Sequence, residues 1–156
     1  MHGGSRAWAL ALLLPLLGLA AGCERIQVAQ GARVYSQYCV SCHGAEGVGQ
    51  NPARPYGSIV PEKEGWIAPA LDGRGHCYQH SRQQIFEIIR DGSPFLGTPM
   101  VGFKDKLSDS DVNALVAYII SLWDENMRRE YEARERLYKL FKQAPQINPS
   151  SGQPNG

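Results

Sequence analysis

The chain lacks any strong excess of one charge sign: Lys and Arg number 16 against 15 Asp and Glu, for a formal charge of +1. A nucleic-acid partner would need a basic field, so none is expected. An apolar run long enough for a permanent membrane helix is also missing. The longest, residues 7–21, is uncharged but falls short of the roughly 18–20 residues that cross a hydrocarbon core. No segment repeats, no strand-helix-strand alternation is visible, and no acid/base pair or nucleophile array suggests a catalytic centre. With 156 residues and 43% hydrophobic content, one compact core is expected, with extensions rather than a second domain of equal weight.

What is present first is an export pattern. Arg6 precedes the apolar run, Pro15 interrupts it, and the small residues Ala20, Ala21 and Gly22 close it. Residues 1–22 are therefore expected to be a signal peptide. The four cysteines then separate by position: Cys23 ends the signal, Cys39 and Cys42 form a pair, and Cys77 stands apart.

Residues 28–38 place Val28, Ala32, Val34, Tyr35 and Tyr38 near helical period without a proline, which predicts a helix leading into Cys39. Residues 44–75 are dense in glycine and proline, including Pro52, Pro55, Pro61 and Pro69, and read as a long loop. A loop of that length in a small domain needs an organising object, and a buried cofactor would serve. Ser81 with Gln84 has the form of a capping box before Ile85, Phe86, Ile88 and Ile89, and Gly92 ends that helix. Ser108 with Asp111 repeats the start before Val112, Leu115, Val116, Ile119 and Leu122, which predicts a helix to about Trp123.

The composition then changes to charged. Glu125/Arg129, Glu130/Arg134, Glu132/Arg136 and Glu135/Lys139 have the favourable i,i+4 order, so residues 124–142 are expected to form a solvated helix. Met127, Tyr131, Tyr138 and Phe141 give it an apolar stripe, which would lie on its own domain or on a partner. Residues 143–156 hold mainly Pro, Gln, Asn, Ser and Gly and are expected to be disordered. The core domain is then expected to span residues 28–123, with residues 23–27 as a linker.

Cys39-Val-Ser-Cys42-His43 is the C-x-x-C-H pattern of covalent haem attachment. Two thiols so spaced at a helix end can each form a thioether with one haem vinyl group, and the next residue presents an imidazole to the iron. A zinc half-site would need two more ligands, for which only His76, Cys77 and His80 offer themselves, far along a loop. A redox C-x-x-C would sit in a β-α-β setting, which is absent.

These residues resemble class I c-type cytochromes over about residues 28–123. Gly31, Tyr35 and Cys39 match the family's Gly-x-x-x-aromatic-x-x-x-Cys helix, Gly44, Gly47 and Gly49 follow the histidine, and Leu115-Val-Ala-Tyr118 looks like the C-terminal helix motif. The stretch Ala68 to His80 and the helix before Gly92 are similar to a group of small bacterial monohaem cytochromes with a trailing charged helix.

The resemblance implies an all-α class I cytochrome c fold: helices and long loops around one covalent haem c, with the first and last core helices crossing at Gly31. It implies Met100 as the second axial ligand. Phe103 keeps the family offset, although Val101 replaces the usual proline and Pro99 precedes the methionine. It further implies that the Pro69 carbonyl accepts the Nδ1 proton of His43, leaving Nε2 for iron. Leu71, Phe86, Ile89, Phe95 and Phe103 are candidates for an apolar haem wall.

Cys77 with His76 and His80 is open to a structural or haem-edge role, an intermolecular disulfide, or a soft metal site. Leu19-Ala-Ala-Gly-Cys23 resembles a bacterial lipobox, which implies acylation of Cys23 and a membrane anchor on the periplasmic side. The rival is cleavage nearby to give a soluble periplasmic protein.

The function expected is one-electron transfer between periplasmic or membrane redox proteins, as donor and acceptor, without catalysis. The rivals are a five-coordinate gas-binding or peroxide-handling haem protein, a metal chaperone using Cys77, and a docking subunit of a respiratory or dehydrogenase complex.

Overall fold

The structure is a computed structural model that describes residues 6–58, 65–93 and 100–143, and of residues 6–21 the backbone alone. Pro61, Phe95, Thr98, Pro99 and the tail from residue 144, expected above to be disordered, lie outside the described residues. The regular elements are α1 (Arg6–Tyr38), α2 (Val40–His43), α3 (Arg82–Asp91), α4 (Asp109–Ser121) and α5 (Glu125–Gln143), with 3-10 turns at Ala45–Gly47 and Cys77–Gln79. Gly92 and Val101 form an isolated antiparallel bridge. This is the all-α architecture that the resemblance implies. The chain divides after Trp123 into two compact units, where the composition turns from apolar to charged.

α1 begins well before the helix predicted over residues 28–38 and runs unbroken past Cys23. The intervening Glu24, Arg25, Ile26 and Gln27 include no glycine or proline, so nothing local stops the helix there. α3 and α4 start as the sequence predicts. Ser81 accepts from the backbone of Gln84, whose side chain accepts from the backbone of Ser81, and Ser108 and Asp111 repeat the arrangement. Each box satisfies two backbone donors that helix starts leave open. α4 ends at Ser121, two residues before the expected limit.

The core lies where α4 crosses α1. Val112, Leu115, Val116 and Ile119 face inward as their spacing predicts, joined by Ala114 and Ile120. Leu115 is fully buried, a burial that stabilises by roughly 2–3 kcal/mol. The helices come so close at Gly31 that a Cβ there would overlap the Ala114 carbonyl and crowd Cβ of Tyr118. Only a residue without Cβ lets the two backbones approach in this way. Tyr35 stacks at a tilt on Tyr118 with centroids 5.1 Å apart, and Gln30 Nε2 donates to Asp111 Oδ1 at 2.9 Å. The crossing thus carries apolar, aromatic and polar contacts in register.

In the second unit, Arg129 and Glu125 form the expected i,i+4 ion pair, both ends well exposed. Tyr131 and Glu135 are buried, whereas Tyr138 and Phe141 are exposed. The apolar stripe read from the sequence therefore has two different surroundings along its length.

Candidate functional site

α1 hands the chain to a single tight turn. Cys39 N–H donates to Tyr35 O at 2.9 Å, and Cys39 in turn caps α2, its carbonyl accepting from Cys42 N–H at 3.1 Å and His43 N–H at 2.9 Å. Cys39, Cys42 and His43 are thereby fixed on one short piece of helical backbone. Neither thiol is in a disulfide; Cys42 is exposed and Cys39 half-buried. Burial, then the neighbouring Cys42, pushes the Cys39 thiol up to about 11.

His43 is buried, with 8% of its surface exposed, and its Nδ1 lies 2.9 Å from the carbonyl of Pro69. A carbonyl only accepts, so the proton sits on Nδ1 and Nε2 keeps its lone pair. Burial lowers the His43 pKa against the opposing effect of that bond. The ring is therefore a neutral imidazole near neutral pH, the form that binds metal.

The Pro69 carbonyl is positioned by backbone bonds on both sides. Ala70 N–H donates to Pro55 O at 2.8 Å, Leu71 N–H to Gly47 O at 2.7 Å, and Gln50 N–H to Ala68 O at 3.1 Å. The indole Nε1 of buried Trp123 donates to Leu71 O at 2.8 Å. Arg74 spans from Asp72, at 2.8 Å, to the carbonyl of Val48, at 3.2 Å. Gly44, at φ 72°, turns the chain away from His43, and its carbonyl accepts from the Tyr35 hydroxyl at 2.8 Å. A Cβ on Gly44 would strike Val48 and the backbone of Gly49, so this reversal suits glycine alone.

Met100 is half-buried, and its backbone is tied to the end of α3 by the Ser93 N–H to Met100 O bond at 3.1 Å and by the bridge from Gly92 to Val101. Phe103 N–H donates to the carbonyls of Ile89 and Arg90 at 3.1 and 3.0 Å, and its ring meets Tyr38 edge-on at 6.0 Å. Leu71, Phe86, Phe103 and Met100 are all half-buried, unlike the fully buried α4 face, whereas Ile89 belongs to the core.

Two thiols, one neutral imidazole with Nε2 available, a thioether and several half-buried apolar side chains make a donor set that suits a large, flat, apolar iron cofactor. The residues present fit haem.

Tyr35, Tyr38 and Trp123 were not assigned to the site from the sequence. Tyr35 and Tyr38 mark the approach helix and Trp123 ends the last core pattern, but nothing local announces a partner for a phenol or an indole.

His76, Cys77 and His80 do not converge as a ligand set. Among the described residues no group of three or more His, Cys, Asp or Glu could hold a metal ion. Burial pushes the Cys77 thiol up to about 12, which disfavours the thiolate that a soft metal needs. His76 instead stacks on Tyr56 and meets His80 edge-on, with centroids 6.1 and 5.6 Å apart. The metal-chaperone alternative therefore finds no support in these residues.

Comparison with known proteins agrees with the geometry. The model of the family described as cytochrome c oxidase, cbb3-type, subunit III matches residues 26–119. A protein of Pseudomonas aeruginosa named dihydro-heme d1 dehydrogenase is 33% identical over 109 residues, which cover 67% of this chain and 18% of that protein. The chain thus spans less than a fifth of that relative. No solved structure matches. No helix among the described residues is long and apolar enough to cross a membrane.

Proposed function

The chain belongs to the family described as cytochrome c oxidase, cbb3-type, subunit III, and from that premise we propose that it is a monohaem one-electron carrier between exported redox proteins. The fold is the all-α class I cytochrome c fold, and haem c is the covalently bound cofactor. When bound, haem supplies an iron that cycles between ferric and ferrous states.

In this reading Cys39 and Cys42 would hold the haem through two thioether bonds, and His43 and Met100 would bind its iron. Pro69 fixes the His43 ring, and Leu71 and Phe103 exclude water from the ring face. The observation that carries the reading is the tight turn at Cys39–His43 with His43 Nδ1 held 2.9 Å from the Pro69 carbonyl. It presents two thiols and a correctly protonated imidazole together. A thioether from Met100 favours ferrous iron and raises the potential. With His43 and Met100 both holding the iron, the chain would carry electrons rather than act on a substrate. Cys23 is acylated in this reading, and the domain works at a membrane on the periplasmic side.

The likeness to part of dihydro-heme d1 dehydrogenase favours a narrower second reading. In it the domain serves as an electron-accepting unit beside a dehydrogenase partner.

Acid extraction of the denatured protein should leave haem on the chain, and Cys39→Ala with Cys42→Ala should release it. Reduced wild type should bind carbon monoxide slowly, whereas Met100→Ala should bind it markedly faster and show a lower potential. Equal binding rates would move the gas-binding reading to first place. Cys23→Ser should abolish acyl labelling of the protein and weaken its membrane attachment without altering the haem spectrum.

A further inference from the structure

The last two turns of α5 differ from the rest of that helix. Leu137, Tyr138, Leu140 and Phe141 are exposed by 67%, 50%, 63% and 68%. At about 100° per residue they occupy one arc of about 160°, running from Leu140 through Leu137 and Phe141 to Tyr138. Arg136, Lys139 and Lys142 fill the opposite side, and after Glu135 the helix carries no acid. The Lys142 ammonium lies 5.6 Å from the centroid of the Tyr138 ring, at the margin of the apolar arc.

We propose that this end of α5 docks on an anionic lipid surface, with Leu137, Leu140 and Phe141 inserted among the acyl chains and the three bases beside the headgroups. The charge pattern selects the occupant: exposed aliphatic and aromatic side chains flanked only by bases are what an anionic bilayer interface accommodates. Long basic side chains lay their stems along the apolar arc and carry their charge to the phosphates. A second copy of the helix suits the surface poorly. Two turns fall well short of the three to four heptads of a coiled coil, and four side chains offer a few hundred Å² against about 800 Å² per partner in a stable protein interface.

The test uses the haem-loaded full chain carrying Cys23→Ser, recovered from the soluble fraction, so that acylation cannot contribute. It should sediment with vesicles of mixed phosphatidylglycerol and phosphatidylcholine several-fold more than with phosphatidylcholine alone, and high salt should remove the difference. Leu137→Ser with Phe141→Ser should abolish sedimentation while leaving the haem spectrum unchanged. Arg136→Gln, Lys139→Gln and Lys142→Gln together should erase the preference for phosphatidylglycerol. Sedimentation equal for the wild-type helix and the serine variant would overturn the proposal. So would a concentration-dependent dimer that the serine variant dissolves, since the face would then belong to a second copy.

Discussion

The α1–α4 crossing and the loop layer formed by residues 44–58 and 65–75 are both held in place, but by different means. At the crossing, side chains do the fixing: Leu115 and Val112 are fully buried, and Ala114 fits against Gly31. In the loop layer, carbonyls and N–H groups do it, through Gly47 with Leu71, Pro55 with Ala70 and Gln50 with Ala68. A packed crossing draws its stability from apolar area and loses about 1–5 kcal/mol when its volume changes. A hydrogen-bonded loop gains only about 1 kcal/mol net from each bond but holds a carbonyl at a fixed point. The His43 ring needs that second kind of order, since what it requires from Pro69 is one oxygen in one place.

The largest effect should come from emptying the crossing. Leu115→Ala removes a fully buried side chain and should destabilise the haem-loaded protein by about 3–4 kcal/mol, read from its urea midpoint. Gly31→Ala should cost about 2 kcal/mol, because the overlap with the Ala114 carbonyl outweighs the better helix propensity of alanine. A neutral or stabilising Gly31→Ala would mean that the helices do not cross this closely.

The loop layer should respond more gently and in another observable. Trp123→Phe keeps most of the ring volume but removes the donor to Leu71 O, leaving a partly buried carbonyl one bond short. About 1–2 kcal/mol should be lost. Because Leu71 lies two residues from Pro69, the variant should also broaden or shift the His43 ring resonances. Leu115→Ala should leave them nearly unchanged at equal folded population. If the two variants perturb His43 alike, the division of labour between the regions is wrong.

The same contrast explains what was legible in the sequence. Periodicity and caps are local, so the starts of α3 and α4 and the inward face of α4 could be read directly, and the Cys39-x-x-Cys42-His43 spacing announced its chemistry. The continuation of α1 upstream of residue 28 could not be read, because Pro15 and Gly22 are ordinary helix breakers that the helix nevertheless passes through, and residues 24–27 carry neither proline nor glycine. Nor could the end of α4 at Ser121, since Leu122 continues the apolar pattern past the last helical residue. Within the site, the bonds from Tyr35 to Gly44 O and from Trp123 to Leu71 O escaped prediction. Their acceptors are ordinary carbonyls, in the second case 52 residues away. Loop pairing rests mainly on backbone groups that nearly every residue carries, and so it leaves little residue-specific trace.

The smallest effect sharpens the comparison through pH, by way of His76, which follows Gly75 at the end of the loop layer. Its ring lies between Tyr56 and His80, and burial, then the positive charge that His80 can carry, lowers its pKa below the ordinary 6.5. Above that value His76 is neutral whether folded or unfolded and contributes no pH dependence. As the pH falls through 6.5, the unfolded chain takes up the proton first, so folding stability declines. The decline from this group stops once the pH has passed the folded value. His76→Gln should therefore flatten part of the stability loss on the acid side of 6.5 and change nothing above it. Urea midpoints at a series of pH values, with the His76 ring titration followed by NMR, would read both quantities. Since the group touches the loop layer, its protonation should loosen amide exchange around Tyr56 before it affects the α1–α4 crossing. A His76 that titrates at or above 6.5, or a pH slope that survives His76→Gln intact, would remove this residue from the account and leave the acid sensitivity of the fold to other groups.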